Sequence, residues 1–104
     1  MLDVYAKEFV AIGNHFQGKG RKKGDYIVVG KKELEELLNK NLYDTDKNKL
    51  KIWKALHWID ADKDRRYTKR VYIKEKGRYE ACVKMSVEML ELLSELCKTS
   101  KTPG

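Results

Sequence analysis

The chain has 104 residues, 23 Lys and Arg against 16 Asp and Glu, a net charge of +7 and a pI near 9.4. That length holds one domain with one core, and the charged share of 38% stands well above the roughly 25% of an ordinary globular domain. No run approaches the roughly 18 apolar residues of a helical membrane span, and the basic excess points to an acidic polymer or surface as partner.

Taken in chain order, residues 2–16 place Val4 or Tyr5, Phe9 and Ile12 close to helical spacing, with Gly13-Asn14 as a stop; a strand also fits this segment. Residues 18–24 contain three glycines and no apolar side chain and are expected to form a mobile loop. Tyr26-Ile27-Val28-Val29 reads as a buried strand. Gly30 then opens a helix with Leu34, Leu37 and Leu38 on one face and Glu33, Glu35 and Glu36 near its N-terminus, closed by Asn39-Lys40-Asn41. Thr45 or Asp46 caps the next helix, which is expected to run to about Trp58. Its apolar stripe is Ile52, Trp53, Leu56 and Ile59; Lys47, Lys51 and Lys54 line the opposite side, with Trp58 off the stripe and expected to be half-exposed.

From Arg66 the period becomes two. Tyr67, Lys69, Val71 and Ile73 share one face and Thr68, Arg70, Tyr72 and Lys74 the other, followed by a Lys76-Gly77 turn and a returning strand over 79–85, which predicts a β-hairpin. Ser86 caps a last helix in which Met89, Leu90, Leu92, Leu93, Leu96 and Cys97 cover a wide apolar arc. Residues 99–104, with the only proline, are expected to fray, leaving a single domain over 1–98.

The charge is concentrated. Residues 1–44 have a net charge of +1, residues 45–85 of +7 and residues 86–104 of −1, so the whole excess belongs to one localised surface. Cys82, Cys97, His15 and His57 make no close ligand pair, and no metal site is expected. The N-terminus lacks the basic start and long apolar stretch of a secretory signal, so a cytoplasmic location with buried, unpaired thiols is the expectation. The segment from Gly13 to Gly20 nearly spells a phosphate loop, but Gly20 stands where a Ser or Thr would hold magnesium. Asp60, Asp62 and Asp64 alternate as carboxylates of a nuclease might be placed, yet no base accompanies them, and His57 beside Trp58 reads as a packed or rim residue. No catalytic residue and no cofactor are expected.

A strand, a short acidic helix, a turn, a helix with a basic outer face and at once a hairpin resemble the winged helix-turn-helix superfamily. The pattern is carried by residues 28–38, 49–59 and the hairpin, and spans about 26–85. The turn over 39–44 is longer than is usual in that motif, and the hairpin is richer in arginine than the second helix. More narrowly, the size, the basic hairpin and the added C-terminal helix resemble the small TcpK-type relaxosome accessory proteins of clostridial conjugative plasmids. The resemblance implies an α+β winged helix-turn-helix fold, sequence-specific double-stranded DNA binding at an origin of transfer, and a relaxase as partner. A small transcriptional regulator of the same fold is the alternative.

The expected DNA contacts are Lys63, Arg65, Arg66, Tyr67, Lys69, Arg70, Lys74, Lys76 and Arg78 in the wing. Lys47, Lys51 and Lys54 are assigned to phosphates, and Arg21, Lys22 and Lys23 to a secondary loop contact. The surplus apolar arc of the last helix predicts a homodimer through Met89, Leu92, Leu93 and Leu96.

Overall fold

Phe9, Ile12 and Phe16 recur at helical spacing, and the helix they specify, α1 (Asp3–Gly18), buries all three. The structure, a computed structural model, describes residues 3–61 and 66–100, the last three as backbone only. α1 passes through Gly13 instead of stopping there. The reason lies at the other end of the chain, in α4 (Val87–Ser100): a Cβ at Gly13 would come within 2.8 Å of the Leu90 side chain, so glycine permits the close approach of the two helices.

The segment expected as a loop contains a short strand. β1 (Lys22–Lys23) pairs with β2 (Tyr26–Gly30), Lys22 opposite Ile27 and Lys23 opposite Tyr26, across a turn in which Gly24 takes φ +62°. β2 buries Ile27, Val28 and Val29 as its sequence predicts. α2 (Lys31–Leu38) follows directly and turns Leu34 and Leu38 inward.

α3 (Asp46–Ala55) is capped by Thr45, whose hydroxyl accepts the Asn48 N–H at 3.1 Å. It ends before Trp58, earlier than the periodicity suggests. His57 adopts φ +61°, its N–H reaches the Lys54 carbonyl at 3.1 Å, and the Trp58 N–H reaches the Trp53 carbonyl at 2.8 Å. These two bonds close the helix in a left-handed turn of the Schellman type. The turn swings Trp58 into the core, where it is 5% exposed and meets Phe9 at 5.3 Å between ring centroids; the expectation of a half-exposed Trp58 is overturned. Ile59 likewise belongs not to the helix stripe but to β3 (Ile59–Asp60).

β4 (Lys69–Ile73) and β5 (Arg78–Ser86) form the predicted hairpin, with Gly77 at φ +63° in its turn. β5 organises the antiparallel sheet. One of its edges pairs with β2 over residues 82–86, and the other pairs end to end with β4 over 78–82 and with β3 over 84–85. α4 starts at the next residue, its first turn capped by the Ser86 hydroxyl, which accepts the Met89 N–H at 3.2 Å.

The core lies between the helices and one sheet face. Phe9, Phe16, Leu34, Leu38, Leu50, Trp53 and Leu90 meet Ile27, Val29, Val83 and Met85 there, each such side chain contributing about 1.5–3 kcal/mol by leaving water. Among the described residues no helix is long and apolar enough to cross a membrane.

Candidate nucleic-acid interface

Lys47 and Lys51 project from the outer face of α3, both exposed. Lys54, one turn on, donates its ammonium to the Arg66 carbonyl at 2.9 Å and lies 5.8 Å from the centroid of the Tyr67 ring. Helix and hairpin are thereby joined at the point where the chain enters β4. Tyr67 packs partly against the core at this junction.

Strand register sorts the hairpin side chains onto two faces with different electrostatics. Arg70 pairs with Ala81 and Tyr72 with Tyr79, on the face that continues from Val83 and Met85. The two tyrosine rings meet edge to face at 5.2 Å, 46% and 58% exposed, and the Arg70 guanidinium stands 5.8 Å from the Tyr79 ring. The opposite face carries Lys69, Val71 and Ile73 beside Cys82, Glu80 and Arg78. There Glu80 binds Lys76 at 3.2 Å and Arg78 at 3.1 Å, bonds that hold its carboxyl below the usual carboxylate range. Lys69 and Lys84 share Asp60 at 3.1 and 3.5 Å.

The predicted wing set is therefore divided. Arg70 lies on one face; Lys69, Lys76 and Arg78 are engaged by carboxylates on the other; Lys74 is exposed in the connecting turn. Lys63 and Arg65, like Asp62 and Asp64, lie outside the described residues. Arg21 forks onto Glu33 at 3.1 and 3.2 Å and covers Phe16, while Lys22 and Lys23 sit exposed on β1, separated from β4 by β2 and β5.

The apolar stripe of Ile52, Trp53, Leu56 and Ile59 left out Lys49, which centres a buried ionic cluster beneath the turn between α2 and α3. Lys49 is 0% exposed. Its ammonium donates to the carbonyls of Leu38 and Asn41, each at 2.6 Å, pairs with Glu8 at 3.1 Å and lies 4.2 Å from the Tyr43 ring centroid. Glu8 also accepts from Asn41 Nδ2 at 2.8 Å and from the Tyr43 hydroxyl. Burial, followed by the bond to Glu8, pushes the Tyr43 hydroxyl far above its ordinary pKa. Nearby, the Tyr5 hydroxyl donates to Asp44 at 2.8 Å, which raises Tyr5 and lowers Asp44. This network fixes the long turn over 39–45 that departs from the helix-turn-helix pattern. The signal was present in the sequence: Lys49 precedes Trp53 by four residues and Leu56 by seven, which puts it on the apolar stripe.

The dimer residues also separate. Leu93 is 7% exposed and belongs to the core, so it is not available as a seam; Met89 packs partly against the same core. Leu92 and Leu96, 52% and 55% exposed, remain on the outer side of α4. Cys82 is buried, which pushes its thiol up, and His57 is an exposed helix-terminating residue. No family model matches the chain, and no curated protein matches it.

Proposed function

We propose that this chain is a winged helix-turn-helix protein that binds double-stranded DNA and performs no chemistry on it. The connectivity supports the fold reading: α1, β2, α2 and α3 are followed by a hairpin whose second strand returns to pair with β2. One observation carries the function. Lys47 and Lys51 on α3 and Arg70 on the hairpin have no carboxylate partner among the described residues, and their two elements are tied together through Lys54. Lysines there neutralise phosphates as point charges, and an arginine suits a guanine edge or a narrow minor groove.

On the resemblance described above, the proposal extends to an accessory role at a plasmid origin of transfer, in company with a relaxase. It also includes a two-fold pair through Leu92 and Leu96, which would present two hairpins to repeated sites. Sedimentation at micromolar concentration should show a dimer that Leu92→Glu splits.

The binding test is a salt series of duplex titrations by fluorescence anisotropy. If about six phosphates are neutralised per protomer, log affinity falls against log salt with a slope near −5. A slope flatter than about −2 would remove the basic face as the binding surface.

A further inference from the structure

The sheet has an unpaired edge, among the described residues, beside a group of cations. β2 stops at Gly30, opposite Cys82, and the chain leaves the sheet for α2. β5 continues for four more residues, 78–81, and among the described residues it is paired there with β4 on one side only. A groove of about 850 Å³ runs along the other side and extends over the hairpin face of Ile73, Arg78, Glu80 and Cys82. Its wall includes every residue from Arg78 to Cys82 in succession. Side chains of a strand alternate between faces, so an unbroken run along one groove marks the backbone edge, with its N–H and C=O groups, as the lining.

The rest of the groove gives this edge a charge preference. Val28, Ile73 and Cys82 contribute apolar surface, while Lys23, Lys31 and Lys32 stand around it with no carboxylate partner among the described residues. Of the carboxylates that also line it, Glu33 and Glu80 are already engaged by Arg21, Lys76 and Arg78, and Glu75 alone stands against the three lysines, so the open charge of the groove is positive. We propose that this groove receives an acidic, extended segment of a partner protein, which adds to residues 78–81 as a further strand. Main-chain bonds to the free edge supply the pairing and alternate carboxylates meet the lysines. A second copy pairing edge to edge does not fit, because it would bring the same cations against one another. The proposal stands apart from the duplex reading, whose Lys47, Lys51 and Arg70 lie elsewhere.

The test uses the full chain and a fluorescein-labelled, end-blocked peptide of alternating valine and glutamate, six residues long. The expected results are saturable binding, amide shifts in the NMR spectrum confined to residues 28–32 and 78–82, and at least a tenfold loss of affinity in Lys31→Glu/Lys32→Glu. A peptide N-methylated at alternate residues, which cannot complete the strand ladder, should bind at least tenfold more weakly, and Lys51→Glu should leave the peptide unaffected while weakening duplex binding. Equal binding of the N-methylated peptide, shifts centred on α3, no binding at millimolar peptide, or displacement of the peptide by duplex DNA would each overturn the proposal. The last outcome would assign the groove to nucleic acid.

Discussion

Lys47, Lys49 and Lys51 are spaced two residues apart on one helix, yet the outer two face solvent and the middle one is sealed in the protein. Two residues turn a helix by about 200°, so Lys49 points away from both neighbours while they point almost the same way. The buried region is a closed electrostatic unit in which one ammonium meets two carbonyls and a carboxylate. The outer region of α3 and the hairpin face of Arg70 leave their charge open to a partner. Charge counted along a sequence therefore does not say where a partner meets it. Of the positive residues in 45–85, Lys49 is offset from outside the segment by Glu8, whereas the Asp60 and Glu80 that meet Lys69, Lys76 and Arg78 already belong to the +7 and move the open excess elsewhere in the segment.

The largest expected effect falls on the closed region. Lys49→Met strands Glu8 and two carbonyls and should cost about 3–5 kcal/mol in urea denaturation, whereas adding Glu8→Met should recover only the part due to the stranded carboxylate, because the Leu38 and Asn41 carbonyls stay without their donor. A small loss in the single variant would mean that the cluster is dispensable. In the open region, Arg70→Ala should cost about 1–3 kcal/mol of duplex binding and relax site preference, with folding stability changed by less than about 0.5 kcal/mol. Lys51→Ala should weaken all duplex sequences alike and lower the salt slope by about 1. Loss of site preference in Lys51→Ala but not in Arg70→Ala would reverse the proposed docking. Arg78→Ala should weaken duplex binding less than Arg70→Ala, because Glu80 already offsets its charge.

The smallest effects are pH limbs. Asp44 is held below the ordinary range by the Tyr5 hydroxyl, the Thr45 N–H and Asn48. Its contribution is present above the unfolded Asp value of about 4 and is lost as pH falls through the lowered one. Asp44→Asn should therefore flatten the acid limb of Tm against pH. Tyr43 is shifted upward, so its contribution is complete below the unfolded value of about 10 and declines as pH rises beyond it. Tyr43→Phe should soften that alkaline decline.

What could be read from the sequence was local. The strand at 26–29, the helix after Gly30, the Thr45 and Ser86 caps and the alternation of the hairpin each depend on residues within a few positions of one another. The same alternation placed Arg70 and Tyr72 together, and helical spacing placed Lys47 and Lys51 on one side. The features that escaped need distant partners or a backbone conformation that the residue type does not announce. Gly13 is explained by Leu90 and the burial of Lys49 by Glu8, while Trp58 turns inward because a residue other than glycine takes the left-handed conformation before it. The division of the wing cations required the register between β4 and β5, which sets Val71 opposite Glu80 and Ile73 opposite Arg78.

The place of β5 in the sheet also dictates an order of assembly during synthesis. Until residues 78–86 have left the ribosome, the only strand pair available among the described residues is the small β1–β2 hairpin, because β2, β3 and β4 all wait for the same partner. The β4–β5 hairpin closes over a four-residue turn and can form as soon as β5 is made, whereas β2 must find β5 across more than fifty residues of intervening chain. The late step joins the N-terminal half to the hairpin, and it also lays Val29 against Val83 and Ile27 against Met85. Sheet closure and core formation are thus one event, so the nascent N-terminal half, with Ile27 and Val29 still uncovered, is the stretch of this protein most in need of protection from aggregation while it is being made.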